Sequence, residues 1–495
     1  MTIDFDLLVV GGGINGTGIA RDAAGRGHKV LLVERDDLAQ HTSSASTKLI
    51  HGGLRYLEQY EFRLVRESLA ERERLLSLAP HLIKPMRFVM PLAPGMRPAW
   101  LIRAGLFLYD RLGGRSRLPK STAVWLRGTP WGTGLKPIER GFVYSDGWVD
   151  DARLVVLNAV GARDKGADIR TRTAFLGATR EADRWRVRLG DGTTVTARAI
   201  ANAAGPWVGT LLGGVLGAAR ERPPRLVKGS HIIVPRLFDG EHAYILQNDD
   251  RRIIFAIPYE EDFTLVGTTD KPFAGDPATA RIDPDEVDYL CAAINRDFEQ
   301  QIGPADVVSS YSGVRPLYDD GSANASEVTR DYVLRLGFAE GPQLLSVFGG
   351  KITTYRRLAE QALDLLAPFL PPAGAPWTAT APLPGGDLPG SIDDFIAEVG
   401  RRHPAIDAAT ADRLARAYGT RIDRVFGATA DRESLGSGLT SDEVDYLVAE
   451  EWARTSEDIL CRRTKLGLHG APALAPRVEA YLASGRVAGK SSKRL

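Results

Sequence analysis

Cysteine is nearly absent. The chain of 495 residues holds two, Cys291 and Cys461, and they form no C-x-x-C pair. That argues against a disulfide framework and a thiolate zinc site, and no metal is expected. An excess of charge of one sign is also missing: 63 Lys and Arg meet 62 Asp and Glu, for a net charge of +1. No global field therefore draws the chain to nucleic acid, and any basic patch has to be local. No stretch approaches the ~18 uninterrupted apolar residues of a membrane-spanning helix. The opening MTIDFDLLVVGGG has no basic stretch before its apolar run, so a signal peptide is not expected. What is present is a globular balance, 44% hydrophobic and 25% charged. At ~150 residues per domain, the length suggests about three domains.

Residues 5–10 (FDLLVV) are a short apolar run bounded by glycines and read as a buried parallel strand. A helical pattern over 14–26 ends at Gly27, and KVLLV (29–33) is a second buried strand, which together make a βαβ unit. Residues 60–79 read as an amphipathic helix. Residues 183–200 alternate around an Asp-Gly turn, as in a β-hairpin. Several strand-like runs over 226–270 predict an antiparallel sheet, and 344–366 reads strand, Gly-Gly, helix. The Pro- and Gly-rich stretch 371–390 reads as a linker. A helical region follows over 391–495, with caps expected at Ser391, Thr410 and Ser441.

Gly11-x-Gly13-x-x-Gly16 directly follows the first strand and opens the first helix. In that context the spacing is a dinucleotide fingerprint. Gly11 permits the turn, Gly13 lets a pyrophosphate approach the backbone, and Gly16 lets helix and strand pack closely. The free N–H groups and positive dipole end of the helix, around Ile14 and Asn15, suit the phosphates. Glu34, with Arg35 beside it, ends the second strand where a carboxylate accepts bonds from ribose hydroxyls. Two features favour FAD over a nicotinamide. The fingerprint occurs once, at the extreme N-terminus, and the hydroxyl-rich loop HTSSASTKLIHGG (41–53) comes next. Thr42, Ser43, Ser44, Ser46, Thr47 and Lys48 offer donors to phosphate oxygens and a ring system. Gly52 and Gly53 would let backbone lie against a flat ring, and Leu49 is expected among the cofactor contacts.

The runs GGGINGTGIARDAAGRG and TSSASTKLIHGGLRYLE resemble the FAD-dependent glycerol-3-phosphate dehydrogenases. So do SDGWVDDARLV, KGSHIIVPR, GTTD, YSGVRPL, TRDY and LLSVFGGKITTYRRLAE, spread from residue 7 to 360. The helical tail resembles that family's C-terminal domain. The relatives of the family, the D-amino-acid-oxidase-like flavoproteins, share the N-terminal fold. The resemblance implies an α/β architecture: a Rossmann-like FAD-binding domain, an interleaved antiparallel-sheet substrate domain and an all-helical C-terminal domain. The expected segments are 1–70, 140–215 and 325–370 for FAD, 71–139 and 216–324 for substrate, 371–390 as linker, and 391–495. The implied reaction is oxidation of sn-glycerol 3-phosphate at C2 to dihydroxyacetone phosphate, with hydride transfer to N5 of non-covalent FAD and electrons passed to membrane quinone. A glycerol-3-phosphate oxidase that uses oxygen is the nearest alternative. From another class, the alternative is an inactive FAD-binding scaffold at a lipid surface.

A phosphate dianion calls for fixed planar cations. Arg55, Arg315 and Arg330 sit in motifs of the resemblance, and Tyr56, Thr268, Thr269 and Asp270 are expected to shape the pocket. The proton of a secondary alcohol has to leave as the hydride leaves. Candidate bases are His231 and His51, with Lys351 as an electrostatic stabiliser. Gly350, Lys351, Ile352 and Thr353 open a helix whose N-terminus would face the negative charge of a reduced flavin. Ala204, Gly205 and Trp207 resemble a flavoprotein strand in which Ala204 replaces a common threonine, leaving no hydroxyl there.

Segment 96–120 holds Arg97, Arg103, Arg111, Arg115, Arg117 and Lys120 against Asp110 alone, with Trp100, Leu101, Phe107, Leu108 and Tyr109 among them. This is the composition of an interfacial helix on anionic lipid. The expected location is the cytoplasm, peripherally bound to the inner face of the cell membrane, as a homodimer.

Overall fold

The computed structural model describes residues 3–92, 97–214, 224–248, 250, 252–319, 331–426 and 433–485. FDLLVV forms the strand Phe5–Val10, and the helix Ile14–Arg26 follows. Gly27, at φ +99°, closes that helix and returns the chain to the strand Val30–Val33. A left-handed residue at this place costs glycine nothing. The first sheet runs Val333–Leu336, Gln343–Phe348, Thr194–Asn202, Phe5–Val10, Val30–Val33, Asp168–Arg170. All are parallel except the first, an antiparallel edge. The expected hairpin is present, Trp185–Leu189 against Thr194–Asn202. Helices Ile14–Arg26, Asp151–Arg163 and Tyr355–Leu366 bury Ile19, Ala23, Ala162, Leu358 and Ala362 against Leu7, Val9 and Leu345. Apolar strands covered by crossover helices are the burial pattern of parallel sheets.

The second sheet runs Lys271–Pro272, Arg225–Pro235, Phe263–Gly267, Ile253–Tyr259, Ala243–Gln247, Ile83–Pro91, Arg140–Val149, Leu49–Ile50. Ser309–Leu317 joins it along Arg225–Pro235. The strand Arg140–Val149 falls in the segment expected to bind FAD, yet it pairs with Ile83–Pro91 in this sheet. Gly141–Gly147 are all buried, so the run has no alternation to say which sheet it serves.

Helices Ile392–Arg402, Ala408–Tyr418, Ser441–Glu451 and Gly467–Ala483 enclose a separate core of Phe395, Val399, Leu414, Leu447 and Val478. Ser391 Oγ accepts from Asp394 N at 3.1 Å, as a cap should. The next two caps fall one to three residues before the expected positions. Asp407 accepts from Thr410 N at 2.7 Å, and Thr440 accepts from Glu443 N at 3.4 Å. Thr410 and Ser441 are already inside their helices, and an Asp accepts from the helix N-terminus at least as well as a hydroxyl. The Pro/Gly stretch 371–390 lies on the first helix: Arg21 Nη2 donates to the carbonyls of Ala381 and Pro382 at 3.2 and 2.9 Å.

Candidate functional site

A cavity of about 460 Å³ runs from the C-terminal ends of the parallel strands to the second sheet. At one end the fingerprint glycines do what their spacing requires. A Cβ on Gly16 would lie 1.9 Å from the Gly11 carbonyl, and one on Gly11 (φ +114°) would lie 2.5 Å from the Ala203 carbonyl. Gly13 and the backbone of Ile14 line the opening, and Ile14 N donates to Ser43 Oγ at 3.0 Å. Glu34 lines it too; its Oε2 accepts from Gly12 N at 2.6 Å and Oε1 from Asp36 N at 2.9 Å. Burial raises the pKa of this carboxylate despite those bonds. Arg35 lies over the Trp207 ring at 4.0 Å, and His41 meets the same ring edge-on at 4.7 Å.

Thr42, Ser43, Ser46, Thr47 and Leu49 line the middle, opposite Ala204, Gly205 and Trp207. At the far end stand His51, Tyr56, His231, Thr268, Arg315 and the turn Gly350-Lys351-Ile352. Most of these are held from outside. The His231 ring stacks on Tyr311 at 4.9 Å, and its Nε2 shares a 2.9 Å hydrogen bond with Thr47 Oγ1. Its Nδ1 is buried with no hydrogen-bond partner among the described residues. Burial, then the nearby Lys48 and Arg315 charges, push the His231 pKa down to about 3. Burial, then Lys351 and Arg72, push His51 down to about 4. Both imidazoles are therefore neutral at physiological pH. The Lys351 ammonium sits 3.7 Å from the centre of the Tyr56 ring. Arg315 Nη2 donates to the Thr269 carbonyl at 3.3 Å and lies 3.5 Å from Asp270. Gly229 leaves room for it, since a Cβ there would lie 2.5 Å from Nη2.

The remaining sequence candidates stand behind the wall. Lys48 pairs with buried Asp151 at 2.7 Å, and the Ser44 carbonyl accepts from Lys48 at 3.2 Å. Thr269 Oγ1 donates to Glu286 at 2.6 Å, away from the cavity. Gly52 N donates to Tyr109 Oη at 2.8 Å, and Thr353 Oγ1 accepts from His51 N at 3.2 Å. Gly53 (φ +77°) lies against the Tyr56 ring. Arg55 is half-buried and outside the lining, and Arg330 lies outside the described residues. The cavity also uses Phe175, Thr210 and Leu211, which the sequence did not mark, and Gly229 and Gly313, which lie in the marked runs KGSHIIVPR and YSGVRPL but were not singled out. Phe175, Thr210 and Leu211 come from two separate segments, and neither carries a local signal.

Residues 6–356 match the family model described as FAD dependent oxidoreductase. The chain belongs to the FAD-dependent oxidoreductases. Residues 376–485 match the C-terminal domain of alpha-glycerophosphate oxidase. The chain is 55% identical to the glycerol-3-phosphate dehydrogenase of Pseudomonas aeruginosa, over 97% of this chain and 95% of that one. It is 53% identical to the D-erythritol 1-phosphate dehydrogenase of Brucella abortus, over 94% and 95%. In structure it is similar to the glycerol-3-phosphate dehydrogenase of Bacillus halodurans complexed with FAD. That match has a TM-score of 0.74 and 28% identity, and covers 99% of this chain and 93% of that one.

The cofactor of this oxidoreductase family, FAD, fits the cavity's donors. The Gly350 turn (φ +99°) packs closely on Asn15, since a Cβ on that glycine would lie 2.7 Å from Nδ2. The same Nδ2 donates to the Gly349 carbonyl at 3.0 Å, while Asn15 Oδ1 is buried and without a hydrogen-bond partner among the described residues. A tight glycine turn beside a helix start and an unsatisfied amide is a cradle for a polar ring edge.

Proposed function

We propose that the chain oxidises sn-glycerol 3-phosphate at C2 to dihydroxyacetone phosphate and passes the electrons to membrane quinone. The observation that carries this reading is one cavity lined by a fixed guanidinium, Arg315, and by two neutral histidines, His231 and His51. When bound, FAD supplies the acceptor for the hydride that leaves C2. Arg315 binds the phosphate and orients C2, with Thr268 beside it. His231 takes the hydroxyl proton. Its ring is locked by Tyr311 and Thr47, and with Thr47 accepting from Nε2–H, Nδ1 keeps its lone pair. Lys351 holds positive charge where negative charge develops.

The relative that acts on D-erythritol 1-phosphate favours a second reading, in which a longer polyol phosphate is the substrate. The experiment is anaerobic titration of the flavin absorbance with each phosphate and with free glycerol. Bleaching by glycerol 3-phosphate, with the highest kcat/KM in steady-state assays with a dye acceptor, supports the first reading, and a higher kcat/KM for erythritol 1-phosphate transfers the assignment. No bleaching by either refutes both and leaves an inactive flavin scaffold. Rapid oxygen uptake without added acceptor would replace quinone by oxygen.

Contact with a membrane surface is part of the proposal. Among the described residues no helix is long and apolar enough to cross a membrane. The helix Ala99–Leu112 buries Leu106 and Tyr109 but exposes Trp100, Leu101, Phe107 and Leu108, between 37% and 72%. Apolar side chains turned outward among basic residues suit an anionic bilayer.

A further inference from the structure

The helical C-terminal domain touches the cofactor-binding half through charged side chains. The π-helical turn Asp458–Arg463 carries charged side chains that bond within that domain and also reach beyond it. Arg463 grips Asp37 with both terminal nitrogens, at 2.7 and 2.8 Å, and Arg462 Nε donates to the same carboxylate at 2.7 Å. Asp37 and Arg463 are fully buried. Asp458 accepts from Arg172 Nη2 at 2.6 Å on one oxygen and from Arg462 on the other.

The two groups gripped belong to the adenosine end of the cofactor site. Asp37 lies three residues after Glu34, and its N–H donates to Gln40 Oε1 at 3.0 Å; Gln40 lines the cavity. Arg172 N donates to the Asp36 carbonyl at 2.9 Å, and Thr173 N to that of Glu34 at 2.7 Å. Ala174 and Phe175, the next two residues, line the cavity. We propose that the turn Asp458–Arg463 is a positioning device for the adenosine half of the FAD site, acting through Asp37 and Arg172 on the segments 34–40 and 172–175. The physical reason is that a buried ion pair adds little net stability over apolar packing, while the bidentate bond of Arg463 to Asp37 holds that carboxylate in one orientation. π-Turns, moreover, concentrate where a function needs them. The inference rests on the family's cofactor and not on the substrate reading, so either can fail without the other.

The test is FAD release from diluted holoenzyme, followed by the rise in flavin fluorescence, beside the melting temperature. Arg462→Met is expected to weaken FAD binding about 10-fold or more. Arg172→Gln, at a half-exposed position that tolerates change, is expected to weaken it about 3-fold or more. Arg462→Lys, which keeps the charge on Asp37, recovers most of the loss. Arg421→Met is the control. Arg421 pairs with Asp164 at 2.8 Å between the same domains and donates to Tyr446 Oη at 3.2 Å; neither bond reaches the turn or a gripped segment. That variant should melt lower but hold FAD as the wild type does. If Arg462→Met does not fold, Arg172→Gln decides. The proposal is overturned if Arg462→Met and Arg172→Gln retain FAD like the wild type, or if Arg421→Met releases it as readily as they do.

Discussion

Single side chains decide how the cavity treats charge. Arg315 sits at the wall with Thr269 and Asp270 fixing its plane. Arg315→Ala should lower kcat/KM for glycerol 3-phosphate roughly 30- to 1,000-fold, or ~2–4 kcal/mol, through both KM and kcat. Unchanged steady-state constants would remove it from the phosphate site. Glu34 bonds two backbone N–H groups that shape the glycine turn. Glu34→Ala should therefore lose FAD on dialysis, while the variant refilled with FAD turns over normally; full retention with lost turnover would contradict that placement. The histidines give a pH signature. Their folded pKa values, about 3 and about 4, lie below the usual 6.5. Between those values the unfolded chain binds protons that the folded chain does not, so the stability contribution is present above about pH 6.5 and falls as pH falls. For turnover the same shifts predict a kcat that shows no histidine limb between about pH 5.5 and 8. A kcat limb near 6.5 that disappears in His231→Gln would show that burial does not hold this base neutral. Residue roles were legible where a motif fixed the backbone, as in the close packing at Gly11 and Gly16. They were not legible for Lys48, because nothing local says whether its ammonium meets a ligand or Asp151, which lies far along the sequence.

At the scale of elements, local periodicity carried the reading. The βαβ unit, the hairpin at 185–202 and the helix Phe62–Leu78 fall where the pattern put them. Arg140–Val149 escaped because a strand buried on both faces has no alternation. The helix Ala99–Leu112 meets two environments at once. Tyr109 donates to Asp146 at 2.8 Å and fixes one face, while Trp100 and Phe107 point outward. Arg103 bonds Ser121 and Arg111 lies over Phe107, both away from the cavity. Changing Arg103, Arg111 and Arg115 together to Glu should release the protein from anionic vesicles. Each basic residue contributes ~1 kcal/mol there, and the attraction fades within ~8–10 Å. Turnover with a soluble dye should persist, and quinone reduction in vesicles should slow. Vesicle sedimentation as before would place the contact elsewhere, and loss of flavin would make the helix part of the core.

At the scale of the whole molecule the helical domain meets the first-sheet region through charges far apart in sequence, and this is where sequence reading stops. Arg163 meets Glu450 at 2.7 Å and Arg421 meets Asp164 at 2.8 Å, beside the buried pairs of Arg153 with Glu451 and Arg463 with Asp37. No local pattern announces such partners, because each pair depends on the packing that brings it together. Opening this boundary would strand buried charges, and removing one partner of such a pair costs ~3–5 kcal/mol. The helical domain should therefore not melt by itself. Calorimetry of the holoenzyme should show one transition that includes residues 391–485. Removing FAD should move that single transition down. Adding FAD at about 100 times its dissociation constant should restore ~2.7 kcal/mol, because the ligand binds only the folded state. Two transitions, with only the larger one moving with FAD, would mean that the charges across the boundary do not couple the helical domain to the cofactor site.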